Sequence, residues 1–187
     1  MLLARQQFQA RPLHLNFEYF TYDITAAFAQ GAVSFCSKNI GAGKYDRSTR
    51  AIKDALIEGI LITQILCLVF YLGRYFWAGL YSTDTEVIDF AVRRMVLVMA
   101  LEGITATYEV GCAGLRCIGY AVYPSVISVF GTVVFRLIWI YTVFAKWNNF
   151  EVLMLVYVSS WIFTGLCSLT SLNILWKRKF GGRKLFF

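Results

Sequence analysis

Two carboxylates, Glu102 and Glu109, lie inside an apolar stretch, residues 87–124, that is long enough to cross a bilayer. An acid at mid-helix in lipid costs roughly 2.5 to 3.5 kcal/mol on insertion scales, so such residues face a protein interior or a watery cavity. There a carboxylate can exchange a proton or hold Na⁺ as the cavity opens to one side and then the other. Read as one helix, the stretch puts the pair on a single face, about 10 Å apart along the axis. Gly103, Thr107 and Gly111 recur at every fourth position beside them, the spacing that lets a second helix approach closely. Glu109 is expected to be the coupling residue and Glu102 its neighbour. The competing reading is a carboxylate that only hydrogen-bonds a packed helix.

Other chemistries find less support. The single histidine, His14, lies outside every apolar run, and no Gly-x-Ser-x-Gly or His-Glu-x-x-His pattern occurs. An enzyme is not expected, nor a metal centre or bound cofactor. Gly41-Ala42-Gly43-Lys44 suggests a phosphate loop, but the Walker pattern needs Gly at 38 and Ser or Thr at 45, where Lys38 and Tyr45 stand. Cys36, Cys67, Cys112, Cys117 and Cys167 form no Cys-x-x-Cys pair and are read as small membrane-buried residues, neither ligands nor disulfides.

The chain must position those acids in lipid. Of its 187 residues 58% are hydrophobic and 17% aromatic, and the mean hydropathy of +0.59 is too high for a soluble domain of this size to cover with polar surface. An all-α, polytopic membrane helix bundle is expected, with five transmembrane helices. The formal charge of +7 comes from basic residues between and after the apolar runs. That is a topology pattern and not nucleic-acid binding.

Residues 1–16 read as an extramembrane segment without a signal peptide. A weak first span follows at 17–37, interrupted by Glu18 and Asp23. The connection at 38–53 carries Lys38, Lys44, Arg47, Arg50 and Lys53 and reads as the clearest loop. A second span covers 55–77, with Asp54 and Glu58 at its opening, where a helix N-terminus favours negative charge, and Tyr71, Tyr75, Phe76, Trp77 and Tyr81 as an interfacial belt at its far end. The polar turn at 82–86 is expected to cap the central helix, in which Arg93 and Arg94 snorkel to the interface. A turn at 116–121, a fourth span at 122–145 containing Arg136, and a fifth at 152–176 complete the bundle 17–176. The basic tail 177–187 closes the chain.

Five spans alternate sides, so the loop at 38–53, the turn at 116–121 and the tail share one face. That face holds most of the 18 basic residues, and the positive-inside rule puts it in the cytoplasm of a multi-pass cell-membrane protein. The N-terminus would then lie outside, which points to a missing upstream helix.

Three pieces carry a family resemblance. Asn39-Ile40-Gly41-Ala42-Gly43 with Arg47 resembles the Gln-Asn-x-Gly-Ala-Gly-x-x-x-Arg loop of multidrug and toxic-compound extrusion (MATE) transporters, with Lys38 in place of the usual Gln. Glu109-Val110 through Leu115-Arg116 and Gly119-Tyr120 resembles the family's Glu-Val-x-x-Gly-x-Leu-Arg-Gly-x-Gly-Tyr junction, with Cys117 for the usual Gly. Pro124, Gly131 and Arg136 match the helix that follows. The resemblance implies a cation-coupled (H⁺ or Na⁺) antiporter of twelve helices in two lobes, this chain corresponding to helices eight to twelve of the C-terminal lobe.

It also implies drug-like, often cationic substrates and a partner in a missing N-terminal lobe; self-association is the other expectation. It places Glu109 in the matched junction and leaves Glu102 without a family counterpart. Arg136 becomes a charge-pairing residue, and Asn39, Gly41, Gly43, Arg47, Arg116 and Pro124 structural ones. A lipid-linked oligosaccharide flippase half and a non-transporting remnant are the alternatives.

Overall fold

The computed structural model describes the backbone of every residue except 1, 81–83, 148, 184 and 187, and among those described the side chains of all but 2–18, 90 and 94. The described residues form helices joined by short turns, with no strand. The elements are α1 (Leu2–Gly41), α2 (Tyr45–Leu72), a short α3 (Arg74–Gly79), α4 (Thr85–Met99), α5 (Thr105–Cys117), a continuous α6 (Val122–Phe144) and α7 (Phe150–Lys179). Helices α2, α6 and α7 are each long and apolar enough to cross a membrane. The snorkelling of Arg94 and the belt position of Tyr81 lie outside the described residues.

Several boundaries differ from the sequence reading. Helix α1 runs 40 residues, about 60 Å at 1.5 Å per residue, with no boundary between residues 16 and 17. Helix α2 starts at Tyr45, ten residues before the expected opening, so the loop at 38–53 contracts to a turn at 42–44. Asp54 and Glu58 are therefore interior residues of α2 and not its N-terminal acids. Both are exposed and line a groove against α1 with Phe28 and Phe35.

The largest correction concerns the central stretch, which is two helices and not one. Leu101 leaves the helical region (φ −125°, ψ 14°), and Glu102–Ile104 form a single 3₁₀ turn before α5 begins. Glycine at 103 lowers helix propensity there, and the Thr105 hydroxyl donates to the Glu102 carbonyl (2.6 Å), occupying an acceptor that the helix would otherwise use. At 15 and 13 residues, neither half reaches the roughly 20 residues that a spanning helix needs. Asp84 caps α4, accepting from the Glu86 N–H at 3.0 Å, as the polar turn suggests.

Three helices stop in the same way at the same end of the molecule. At Gly43 (φ 70°) the Lys44 N–H reaches back to Asn39 O and the Gly43 N–H to Ile40 O. At Gly119 (φ 88°) the Tyr120 and Gly119 N–H groups reach Leu115 O and Arg116 O. At Gly181 (φ 62°) the Gly182 N–H reaches Lys177 O. These are Schellman stops, which need a left-handed residue just past the helix and so favour glycine. The loop and junction motifs thus encode two copies of one backbone device.

The chain beyond α7 folds over this end: Lys179 Nζ donates to Ile118 O (2.6 Å), Phe180 packs on Tyr45, and Leu185 is buried. A disulfide between Cys36 and Cys117 ties the end of α1 to the end of α5, with 6.2 Å between the Cα atoms. This overturns the reading of all five cysteines as unpaired. Residues 81 apart in sequence become neighbours only through the packing of α1 on α5, which no spacing rule reveals. Cys67 and Cys112 remain free and buried.

Candidate functional site

The Glu102 carboxylate is buried, at 3% exposure, in the angle between α1, α2 and the break separating α4 from α5. Its two oxygens have different donors. Thr21 Oγ1 of α1 donates to Oε1 at 2.5 Å, and Cys67 Sγ of α2 lies 3.6 Å from Oε2. Next to them the hydroxyls of Thr25 and Thr63 are hydrogen-bonded to each other at 2.7 Å. Thr21 and Thr25 on α1 are four residues apart, as are Thr63 and Cys67 on α2, so each helix presents two polar groups on one face. Buried polar atoms in apolar surroundings need such partners.

Glu109 lies on α5, half-buried, and accepts from the Tyr22 hydroxyl at 2.6 Å. The two acids do not share one helix face in the way the continuous helix implied, because the break intervenes. They meet the same neighbour instead: successive residues of α1, Thr21 and Tyr22, each hold one carboxylate.

The break itself is bridged from α2. Gln64 Nε2 donates to Ala100 O at 3.1 Å, and its Oε1 accepts from the Gly103 N–H at 3.4 Å. One carboxamide thus satisfies a carbonyl and an amide that the interrupted helix leaves over. A Cβ at 103 would sit 2.9 Å from Gln64 Oε1, so glycine here both weakens the helix and admits the bridge.

On its other side α5 packs against α7. A Cβ at Gly111 would stand 2.5 Å from Ser168 Oγ, one at Gly114 2.6 Å from Leu172 Cδ2, and one at Gly165 would collide with Thr107. The small residues of the central stretch serve this internal seam. Gly103, the first of the series, belongs instead to the α2 contact.

Arg136 lies on α6 between two stretches of π-helix, Val129–Val134 and Ile140–Phe144. In each stretch a threonine hydroxyl bonds back one turn, Thr132 to Ser128 O and Thr142 to Ile138 O, both at 2.6 Å, which loosens the α-helical ladder. The Arg136 guanidinium donates to Ser160 Oγ (3.1 Å) and stacks over the Tyr157 ring at 4.7 Å. Among the described residues it forms no ion pair, so a hydroxyl and a ring stand where a carboxylate partner was expected.

The remaining motif residues are at the glycine-cornered end. Asn39 Nδ2 bonds Phe35 O (2.8 Å), closing the last turn of α1. Gly41 is the last residue of α1 without a positive φ, whereas Gly43 has one. Arg47 and Arg116 are exposed, Arg116 in the last turn of α5, where the helix dipole favours a cation. Pro124 is buried in the first turn of α6, where its missing N–H costs nothing.

Sequence reasoning missed Thr21, Tyr22, Thr25, Thr63, Gln64 and Cys67. Their signal was available as polar residues at i, i+4 spacing within otherwise apolar helices, but nothing in it said which pairs would meet.

Comparison with known proteins bears on the family of the chain. Over 86 residues the chain is 31% identical to Protein DETOXIFICATION 56 of Arabidopsis thaliana, an alignment covering 46% of this chain and 18% of that relative. The chain therefore spans only a small part of the relative's length. The MatE family profile matches residues 10–142, from within α1 to near the end of α6 and across both acids. With that match covering well over half of its length, the chain is a membrane protein of the MatE family.

Proposed function

We propose that this chain forms the five-helix part of a cation-coupled antiporter that exports organic, often cationic, compounds, with Glu109 and Glu102 as the sites that exchange H⁺ or hold Na⁺. The observation that carries this reading is the pair of carboxylates held by adjacent hydroxyl residues of α1 beside a broken helix. The Glu109 carboxylate, whose hydrogen-bond donor is the neutral Tyr22 hydroxyl, can take up a proton or a monovalent cation by exchanging that one neutral partner. Discontinuous helices whose halves meet near the bilayer midplane are how many transporters place such groups. The name of the relative, which speaks of detoxification, is in keeping with this.

In this reading α4 and α5 in series make the third span, about 22 and 20 Å long at 1.5 Å per residue, and the middle of α1 makes the first. The glycine-cornered end, with Lys38, Lys44, Arg47 and the tail, faces the cytoplasm. Alternating access rocks one repeat against another around a shared site, so the activity requires a second lobe, and these residues on their own transport nothing. Self-association through Gly111 would displace α7, which already fills that face.

The test is Glu109→Gln in the lobe completed by its partner. The substitution keeps shape and hydrogen bonding but cannot ionise. Gradient-driven export of a cationic dye should fall at least about tenfold with insertion unchanged, and Glu102→Gln should give the weaker loss. Export that stays cation-stimulated in Glu109→Gln would remove this residue from the site.

A further inference from the structure

At the end of the molecule away from the glycine stops, α2, α4 and the start of α7 enclose an open cleft of about 660 Å³. Tyr71, Arg74, Arg93, Asn149, Phe150 and Glu151 are among its lining residues. Two cations face one carboxylate there.

Arg74 is fixed. Its Nη1 donates to Tyr71 O at 3.0 Å, and its guanidinium carbon lies 4.6 Å from the Tyr71 ring centre and 5.1 Å from that of Tyr75. A guanidinium has five N–H donors, the bond to Tyr71 uses one of them, and the residue lines the cleft. Arg93, on α4, is exposed, and among the described residues neither arginine forms an ion pair. Glu151 lies in the first turn of α7, where the helix N-terminus already favours its charge. Asn149, the N-cap residue of α7, makes no side-chain capping bond, so its carboxamide is free to serve the cleft.

The surroundings identify the class of ligand. Tyr75 and Phe76 are 56% and 65% exposed and stand with Trp77 where α2 gives way to α3, an aromatic cluster of the kind that settles at headgroup level. A pair of arginines between transmembrane helices at headgroup level suits a lipid phosphate, here in the leaflet opposite the cytoplasmic one in the topology proposed above, and the planar fork of arginine matches a phosphate better than a point charge does. Phe150 supplies an apolar wall for the start of an acyl chain.

We propose that this cleft binds the phosphate of an anionic phospholipid headgroup, with Arg74 and Arg93 as its cationic ligands. The inference rests on the membrane character of the chain and stands apart from the transport reading.

The full chain, purified in neutral detergent, should retain short-chain phosphatidylglycerol about tenfold more tightly than phosphatidylcholine by native mass spectrometry, because the choline ammonium cancels the phosphate charge. Arg93→Gln should weaken phosphatidylglycerol retention by about tenfold, the scale of one charge-assisted contact. Arg93→Lys, which keeps the charge but not the fork, should lose less than Arg93→Gln, and Glu151→Gln should tighten retention. Arg93 is exposed, so its variants keep the fold even where the double variant with Arg74→Gln does not. Equal retention of the two lipids, or phosphatidylglycerol binding unchanged in Arg93→Gln, would overturn the proposal. Displacement of the lipid by millimolar inorganic phosphate would overturn the lipid source and assign the cleft to free phosphate.

Discussion

Helix α5 has two working faces, built on opposite principles. Towards α1 it presents the Glu109 carboxylate, which reaches Tyr22 through a hydrogen bond. Towards α7 it presents almost nothing, Gly111 and Gly114 letting Ser168 and Leu172 come up to the backbone. The first contact is a single hydrogen bond between side-chain ends and can be made or broken at modest cost. The second depends on excluded volume and has no intermediate setting. The helix is thus packed backbone to side chain on one face and joined through side-chain ends on the other.

The sharpest way to break this contrast is Gly111→Leu. A side chain has no room before Ser168, so α5 and α7 must separate, at a cost of about 3 kcal/mol or more from overpacking. A fall in the midpoint of thermal unfolding in detergent would register it, and a midpoint equal to wild type would show that the seam is loose. Thr21→Val tests the neighbouring hydroxyl–carboxylate contact, between α1 and the turn that leads into α5. It keeps volume but removes the 2.5 Å donor to Glu102, and leaving a buried acceptor short of a partner costs about 1 to 3 kcal/mol. The same unfolding measurement should show the smaller loss, and Thr21→Ser should recover most of it.

At the end of α5, Gly119→Ala places a Cβ on a left-handed residue (φ 88°). The expected loss is about 1 kcal/mol, and Gly43→Ala should match it, while Gly41→Ala, at a position with no positive φ, should change little. Smallest of all is Arg183→Gln. Its contact with Asp46 is 3.6 Å long between side chains 54% and 91% exposed, and exposed ion pairs contribute about 0 to 1 kcal/mol before screening by salt. A measurable drop there would mean that the tail bears more on the bundle than its open ion pair indicates.

Much of this was legible in the sequence because it is written in local chemistry. The apolar runs foretold α2, α6 and α7, and the Gly-Ala-Gly and Gly-Tyr motifs foretold where α1 and α5 stop. Glu102 and Glu109 were recognisable because an acid in an apolar run has few acceptable surroundings. The break at residue 102 was harder to read. Gly103 hinted at it, but a single glycine is tolerated inside many helices, and the deciding partner, Gln64, lies 39 residues away on another helix. The early start of α2 was hidden by composition, since the basic residues after Tyr45 read as loop although they serve equally well on the exposed side of a helix end. The hydroxyls of α1 were overlooked for the opposite reason: threonine and tyrosine are ordinary in a membrane helix until something across the interface uses them.

The link between Cys36 and Cys117 bears on how the molecule is made. Its two sulfurs are 81 residues apart in the chain, so at the usual 5 to 20 residues per second of synthesis the first waits roughly 4 to 16 s for the second to emerge. During that interval α1 and α2 must be inserted with Cys36 as a thiol, open to mispairing or capping by any oxidant nearby. The bond can close only after the end of α5 has come to lie beside the end of α1. In the topology proposed above the pair lies at the cytoplasmic end, where thiols are kept reduced, so closure of the cystine would report both that α5 has reached α1 and that an oxidant has reached this end.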